Sequence, residues 1–323
     1  MANKKILILG GAGYNGGYAT DYLIQSGYDV CVFDKLIYET RYLKPVDFVY
    51  GDIRDTQHVL DVAENYDVVV IMAALVGDPA CAADVELTDE INHIAVKNIC
   101  EQLDTSKHVI FMSTCSVYGA QLNTLDEESP TNPLSAYAST KLLAEKYVTD
   151  RKGTIFRLGT VYGLGDTYSR IRLDLVVNVL TMKSVYDKKI QIFGGIQWRP
   201  LICVKDITGY IEESIFKNIR GTYILSEGNY TMEQLGEMMK NYFPDIELKF
   251  VDIPFEDARN YKVSNIKTTQ QFEYKPLYTI AAEVYKMAKM FQEHRICDIT
   301  EDSYHNGNFI KNNWIKKSFF GID

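Results

Sequence analysis

The chain has 323 residues, 46% of them hydrophobic and 24% charged, with a formal net charge of −9. That length suits one large domain or two modest ones, and the acidic balance excludes the basic footprint of a general nucleic-acid binder while leaving room for a local arginine cluster. The longest apolar run, Val68–Gly77, is about half of what crosses a bilayer; six scattered cysteines without Cys-x-x-Cys and five histidines without His-Glu-x-x-His argue against a metal site or a disulfide framework, so a reduced, cytoplasmic enzyme is expected.

In chain order, KKILILG (Lys4–Gly10) reads as a strand, and the residues from Gly16 to about Ser26 read as a helix closed by Gly27. Further strands are expected at Val30–Phe33, Asp47–Gly51, Asp67–Ala74, Lys107–Thr114, Gly153–Gly159 and Gly221–Ser226. These runs are apolar throughout rather than alternating, which predicts strands buried on both faces, as in a parallel sheet covered by helices. The fold class is therefore α/β, a doubly wound parallel (Rossmann) sheet with a smaller C-terminal substrate-binding lobe. Residues 1–163 plus about 201–226 are assigned to the sheet domain, and 164–200 plus 227–323 to the lobe. The tail from Ser303 to Asp323 is polar and aromatic by turns, and reads as a docked or partner-contacting extension.

Gly10, Gly13 and Gly16 form G-x-x-G-x-x-G directly after the first strand and at the start of the first helix. In that setting the glycines allow a tight turn and let backbone N–H groups approach a diphosphate at the helix N-terminus. Asn15 stands where an apolar residue would pin the helix to the sheet. Asp34 ends the second strand, where a carboxylate holds both ribose hydroxyls of NAD and repels a 2′-phosphate. Lys35 beside it leaves a small opening for NADP. In GDI, after the third strand, Asp52 and Ile53 are placed to meet the adenine edge.

The fifth strand runs out into STCSVYG (Ser113–Gly119), and the carboxyl ends of such strands line the ligand crevice, so Ser113, Thr114 and Cys115 are expected there. Downstream, SAYASTKLLAEKYV predicts a helix that carries Tyr137 and Lys141 one turn apart on one face. A free phenol titrates at about 10. A nearby ammonium and a positively charged nicotinamide both favour the phenolate, which then serves as a base toward an alcohol. With a hydroxyl from Thr114 on the same oxygen, this set suits the interconversion of an alcohol and a ketone.

Together GGAGYNGG, Asp34, Asp52, Ala73–Ala74, STCSVYG, YASTK and RLGTVYG resemble the extended short-chain dehydrogenase/reductases, in particular the nucleotide-sugar epimerase/dehydratase family, from residue 4 to about 215. The resemblance implies cofactor contacts at Gly10, Gly13, Tyr14, Asn15, Gly16, Asp34, Asp52, Ile53, Ala73, Ala74, Tyr137 and Lys141, with Thr114, Tyr137 and Lys141 catalytic. It implies substrate contacts at Thr114, Cys115, Thr160 and Arg199, the last on the substrate diphosphate, with Arg170 and Arg172 either assisting or solvated. It also implies a homodimer through the Tyr137 helix. The family's 4,6-dehydratases carry Asp-Glu after the hydroxyl residue. Here Cys115 and Ser116 stand there, which disfavours dehydration; Cys115 itself suits a packed thiol. Thr160 replaces the asparagine found at that position in many members. The expected reaction is oxidation or reduction at one sugar carbon, C4, by a 4-epimerase or a 4-dehydrogenase. GDP-heptose 4-dehydrogenases of bacterial surface-polysaccharide synthesis are among the candidates. An oxidoreductase of a non-nucleotide alcohol and a non-catalytic NAD-binding regulator are the rival readings.

Overall fold

The computed structural model describes residues 4–39, 41–251 and 260–314. In chain order the strands are β1 (Lys5–Leu9), β2 (Asp29–Asp34), β3 (Asp47–Tyr50), β4 (Val68–Ile71), β5 (His108–Thr114), β6 (Ala120–Leu125), β7 (Thr154–Leu158), β8 (Thr160–Tyr162), β9 (Lys189–Phe193), β10 (Trp198–Cys203), β11 (Gly221–Leu225), β12 (Gly228–Thr231), β13 (Glu247–Val251) and β14 (Asn260–Val263).

The seven apolar runs become the seven strands of one sheet, ordered β11-β7-β5-β4-β1-β2-β3, and every pairing in it is parallel. Their composition explains the burial. Ile6 through Leu9 and Val68 through Ile71 are inaccessible to solvent. Alternate residues of each strand enter separate apolar clusters on opposite faces, Leu7 and Leu9 in one, Ile6 and Ile8 in the other. Helices α1 (Tyr14–Gln25), α2 (Thr56–Ala63), α3 (Asp78–Ala83), α4 (Val85–Asp89), α5 (Ala95–Gln102) and α6 (Ala136–Asp150) connect the first strands. The chain order reverses between β1 and β4, and a crevice opens at the carboxyl ends of strands around such a point.

The stretch 201–226 does not return to this sheet as a unit. Only β11 joins it; β10 pairs with β8 and β12 in a separate sheet of three strands. That smaller sheet and the helix Val176–Tyr186 contribute to a third apolar cluster around Leu180, Leu201, Leu235 and Phe291. Residues 306–310 of the tail are docked. Asn306 and Ile310 are fully buried, and Phe309 packs on Tyr38, ring centroids 4.8 Å apart. Residues 315–323 of the tail lie outside the described residues. Among the described residues no helix is long and apolar enough to cross a membrane.

Candidate active site

The chain leaves β1 through Gly10, which has φ +87°. Its N–H donates to Phe33 O at 2.8 Å, so the turn hangs on β2. A side chain at Gly10 would place Cβ 2.4 Å from the Ala73 nitrogen, and one at Gly16 would place it 2.1 Å from Gly10 O. These two glycines are thus required by close backbone packing. Gly13 differs: an added Cβ would meet only Gly10 O, at 3.5 Å, and the residue is exposed on a cavity of about 270 Å³. Gly13 is also the N-cap of α1, with no side-chain cap and no carboxylate in the first turn. An open glycine beside uncapped helical N–H groups fits a diphosphate.

Gly10, Gly13, Tyr14, Asn15, Gly16, Asp34, Asp52, Ile53, Ala73 and Ala74 all line this cavity. Asn15 has a buried Oδ1 without a hydrogen-bond partner among the described residues. The Tyr14 hydroxyl donates to Gly163 O at 2.5 Å and its ring joins the third apolar cluster, so it fastens the loop to the neighbouring body. Asp34 accepts from Ala12 N at 3.0 Å through Oδ2 and from Leu36 N at 2.8 Å through Oδ1. Burial raises its carboxyl above the usual range, and those backbone N–H groups oppose the rise. Each oxygen has a second lone pair for a ribose hydroxyl. Lys35, the feature that left NADP open, places Nζ 2.7 Å from Asp52 Oδ2. Burial raises the Asp52 carboxyl, but Arg54 and Lys35 outweigh it and hold the group down at about 2.

At the other end of the cavity stand Thr114, Ser116, Tyr137 and Thr160. Ser135 caps α6 by accepting from Ala138 N at 3.2 Å, which sets Tyr137 in the first turn. Burial pushes the Tyr137 phenol up and Cys81 adds to this, while Arg172 and a side-chain hydrogen bond from Thr114 pull it down. Lys141 is only 2% exposed, with Nζ 4.0 Å from the Phe111 ring centroid. Burial brings its ammonium down to about 7. Lys141 lies behind the cavity wall rather than on it.

Three expectations need correction. Cys115 does not meet the cavity: it is fully buried, with Sγ 3.3 Å from Arg157 O. The strand ends at Thr114 and Cys115–Tyr118 form a 3₁₀ turn in which Ser116 N donates to Thr114 Oγ1 at 3.1 Å. The turn presents Thr114 and Ser116 to the cavity and turns Cys115 inward. Ser113 also points elsewhere, donating to Glu145 Oε1 at 2.5 Å. Arg199 is 7% exposed and absent from the cavity wall; its Nη1 donates to Trp198 O at 2.9 Å within the middle strand of the small sheet. Arg170 and Arg172 are on the wall instead.

The sequence reading weighed Ser116 only as a replacement for a dehydratase carboxyl and passed over Tyr261, whose hydroxyl is 3.5 Å from that of Ser116 on the wall, and Asn92. Asn92 is fully buried; its amide accepts from Leu75 N at 2.8 Å and donates to Leu75 O at 2.9 Å, holding the chain just past Ala74. A single asparagine or serine carries no periodic signal, so only its contacts reveal it.

The model of the NAD dependent epimerase/dehydratase family matches residues 6–211. A UDP-glucose 4-epimerase from Lactobacillus helveticus is 31% identical over 215 residues, which is 59% of this chain and 63% of that protein. Among solved structures, the UDP-glucose 4-epimerase of Thermus thermophilus in complex with NAD superposes with a TM-score of 0.76 at 21% identity, covering 89% of this chain and 99% of the other. A dTDP-glucose 4,6-dehydratase from Bacillus anthracis superposes with 0.75 at 21% identity, covering 90% and 97%. The same backbone thus carries different reactions, and the choice among them rests on side chains.

Proposed function

Because the chain belongs to the NAD-dependent epimerase/dehydratase family, we propose that it is a nucleotide-sugar 4-epimerase, oxidising and then re-reducing C4 of the sugar. The observation that carries this reading is that the hydrogen-bonded pair Thr114–Tyr137 shares one cavity with the glycine loop and Asp34. In the proposed arrangement Gly10–Gly16, Asp34, Ile53 and Ala73–Ala74 hold NAD, which when bound accepts and returns the two electrons. Tyr137 takes the proton from the sugar hydroxyl, Thr114 holds the same oxygen, and the Lys141 charge favours the phenolate. Thr160 meets the sugar. The central sheet, through β11, supplies the cofactor side, and the three-stranded sheet with the elements packed on it the substrate side.

Dehydration is disfavoured on this reading. It needs an acid and a base after Thr114; Cys115 is buried away from the cavity, and burial pushes its thiol up. Ser116 alone is a weak acid and a weak base. The test is turnover of UDP-, GDP-, dTDP- and CDP-linked sugars, GDP-heptose among them, followed by mass spectrometry and NMR. Unchanged mass with an altered coupling pattern at C4 is the expected result. A loss of two hydrogens would make the enzyme a net 4-dehydrogenase, and loss of water would overturn the reading.

A further inference from the structure

Arg170 is a half-buried cation without an ion-pair partner among the described residues. Its guanidinium lies 3.9 Å from the Tyr38 ring centroid, and Nη2 donates to Asn306 Oδ1. Nη1 is buried with no hydrogen-bond partner among the described residues. Glu39 accepts from its backbone N–H, and Asp174 and Glu39 act on the guanidinium at a distance, through their charge. A buried guanidinium nitrogen without an acceptor is costly, and such a group calls for a missing anion. Burial lowers this guanidinium to about 10, so it stays charged near neutrality.

Arg172 stands two residues further on and faces the same cavity. Asp174 grips it through Nε at 3.0 Å and Nη2 at 3.1 Å, and Nη2 would lie 3.8 Å from a Cβ placed on Gly77. The two arginines therefore occupy different stations. Arg170 neighbours Tyr38, four residues beyond Asp34, the proposed ribose ligand. Arg172 neighbours Gly77 and acts electrostatically on Tyr137. The open Gly13 lies on the same cavity. A dinucleotide with its adenosine ribose at Asp34 and its nicotinamide end at Tyr137 carries its diphosphate along the span between these stations.

We propose that Arg170 and Arg172 form a cationic clamp on the diphosphate of the bound dinucleotide, opposite the glycine loop. Asn306, from the C-terminal tail, is the positioning residue of this clamp. It is fully buried, receives Arg170, donates its backbone N–H to Asp174 Oδ2 at 3.3 Å and donates Nδ2 to Val76 O at 2.9 Å. One tail residue thereby orients both arginines and ties them to the segment after β4. This proposal rests on the cofactor reading given above, and it adds that the cofactor is gripped from the far side of the crevice by the tail.

The experiment compares NAD, ADP-ribose, adenosine and UDP binding to wild type, Arg170→Gln, Arg172→Gln and Asn306→Asp by calorimetry, with thermal melts as a control for folding. The Asp variant is nearly isosteric and neutralises Arg170. All three variants are expected to lose roughly tenfold or more in affinity for NAD and ADP-ribose, the worth of a charge-assisted hydrogen bond. Adenosine, which has no diphosphate, should bind unchanged. Equal losses for adenosine would mean a merely structural role and overturn the clamp. Lost UDP affinity with intact NAD affinity would assign the arginines to the substrate and overturn it likewise. If NAD fails to bind wild type, the cofactor reading itself falls. If NAD binds wild type and all variants alike, only the clamp falls.

Discussion

A methyl group on Gly16 would sit 2.1 Å from the carbonyl oxygen of Gly10, whereas a methyl on Gly13 would find its nearest neighbour, the same oxygen, at 3.5 Å. The two glycines of one motif are therefore needed for different reasons. Gly16→Ala must displace backbone, at a cost of about 1–3 kcal/mol, and should lower Tm by several degrees and abolish NAD binding. Gly13→Ala should melt with wild type yet bind NAD roughly tenfold more weakly, because its methyl occupies the face left for the ligand. Differential scanning fluorimetry with and without NAD reads both, and equal melting losses would refute the distinction.

Tyr137→Phe removes the proposed base and leaves the ring. Turnover should fall by about 10²–10⁴, while NAD affinity, measured by calorimetry, stays the same. Thr114→Val should reduce kcat, since Thr114 gives the phenol a hydrogen bond from the cavity wall, and should cost about 1 kcal/mol of stability because Ser116 N loses its acceptor. A Tyr137→Phe enzyme with wild-type turnover would remove this pair from the mechanism.

Cys115 and Ser116 are adjacent in sequence and opposite in placement, the first fully buried and the second on the cavity wall. Cys115→Ala should cost about 1 kcal/mol of stability with kcat unchanged. Ser116→Val, by contrast, should raise KM with little effect on Tm. Thiol-directed reagents at neutral pH should leave Cys115 unmodified in the native enzyme, since burial pushes the thiol up and away from its reactive form.

Glu227 offers a test by pH. It accepts from the Tyr162 hydroxyl at 2.8 Å, its Oε1 is buried without a partner among the described residues, and burial raises its carboxyl from 4.5 to about 7. The folded state thus holds the proton more firmly than the unfolded chain. The resulting stabilisation is complete below pH 4.5, declines between 4.5 and about 7, and is gone above that. Glu227→Gln does not titrate, so the wild type should lose stability relative to it as pH rises through this window. Urea unfolding at several pH values measures the difference, and a difference independent of pH would refute the assignment.

Much was legible before any coordinates. All seven predicted strands enter the central sheet, because an unbroken apolar run bounded by glycine or charge has no other way to bury both faces. The loop, Asp34 and the Tyr137 helix follow from short-range rules of turn, capping and spacing. The apolar run Lys107–Thr114 placed Thr114 at the end of the fifth strand, and the structure sets it on the cavity wall. Cys115 was misplaced by taking every residue at the strand end to face the crevice; the 3₁₀ turn directs it inward, as its reading as a packed thiol had it.

What the sequence by itself determined, then, is the sheet, the glycine loop and the pair Tyr137–Lys141, since each depends on residues within one or two elements. What only the tertiary structure decided is which distant residues meet. Arg199, in the stretch resembling a substrate-binding segment, is buried off the cavity, while Arg170 and Arg172 stand on its wall and the tail residue Asn306 meets Arg170 across 136 positions of chain. Local hydrogen bonding and hydrophobic period specify an element, but a guanidinium's partner is set by the packing of elements far apart in sequence, which no spacing encodes.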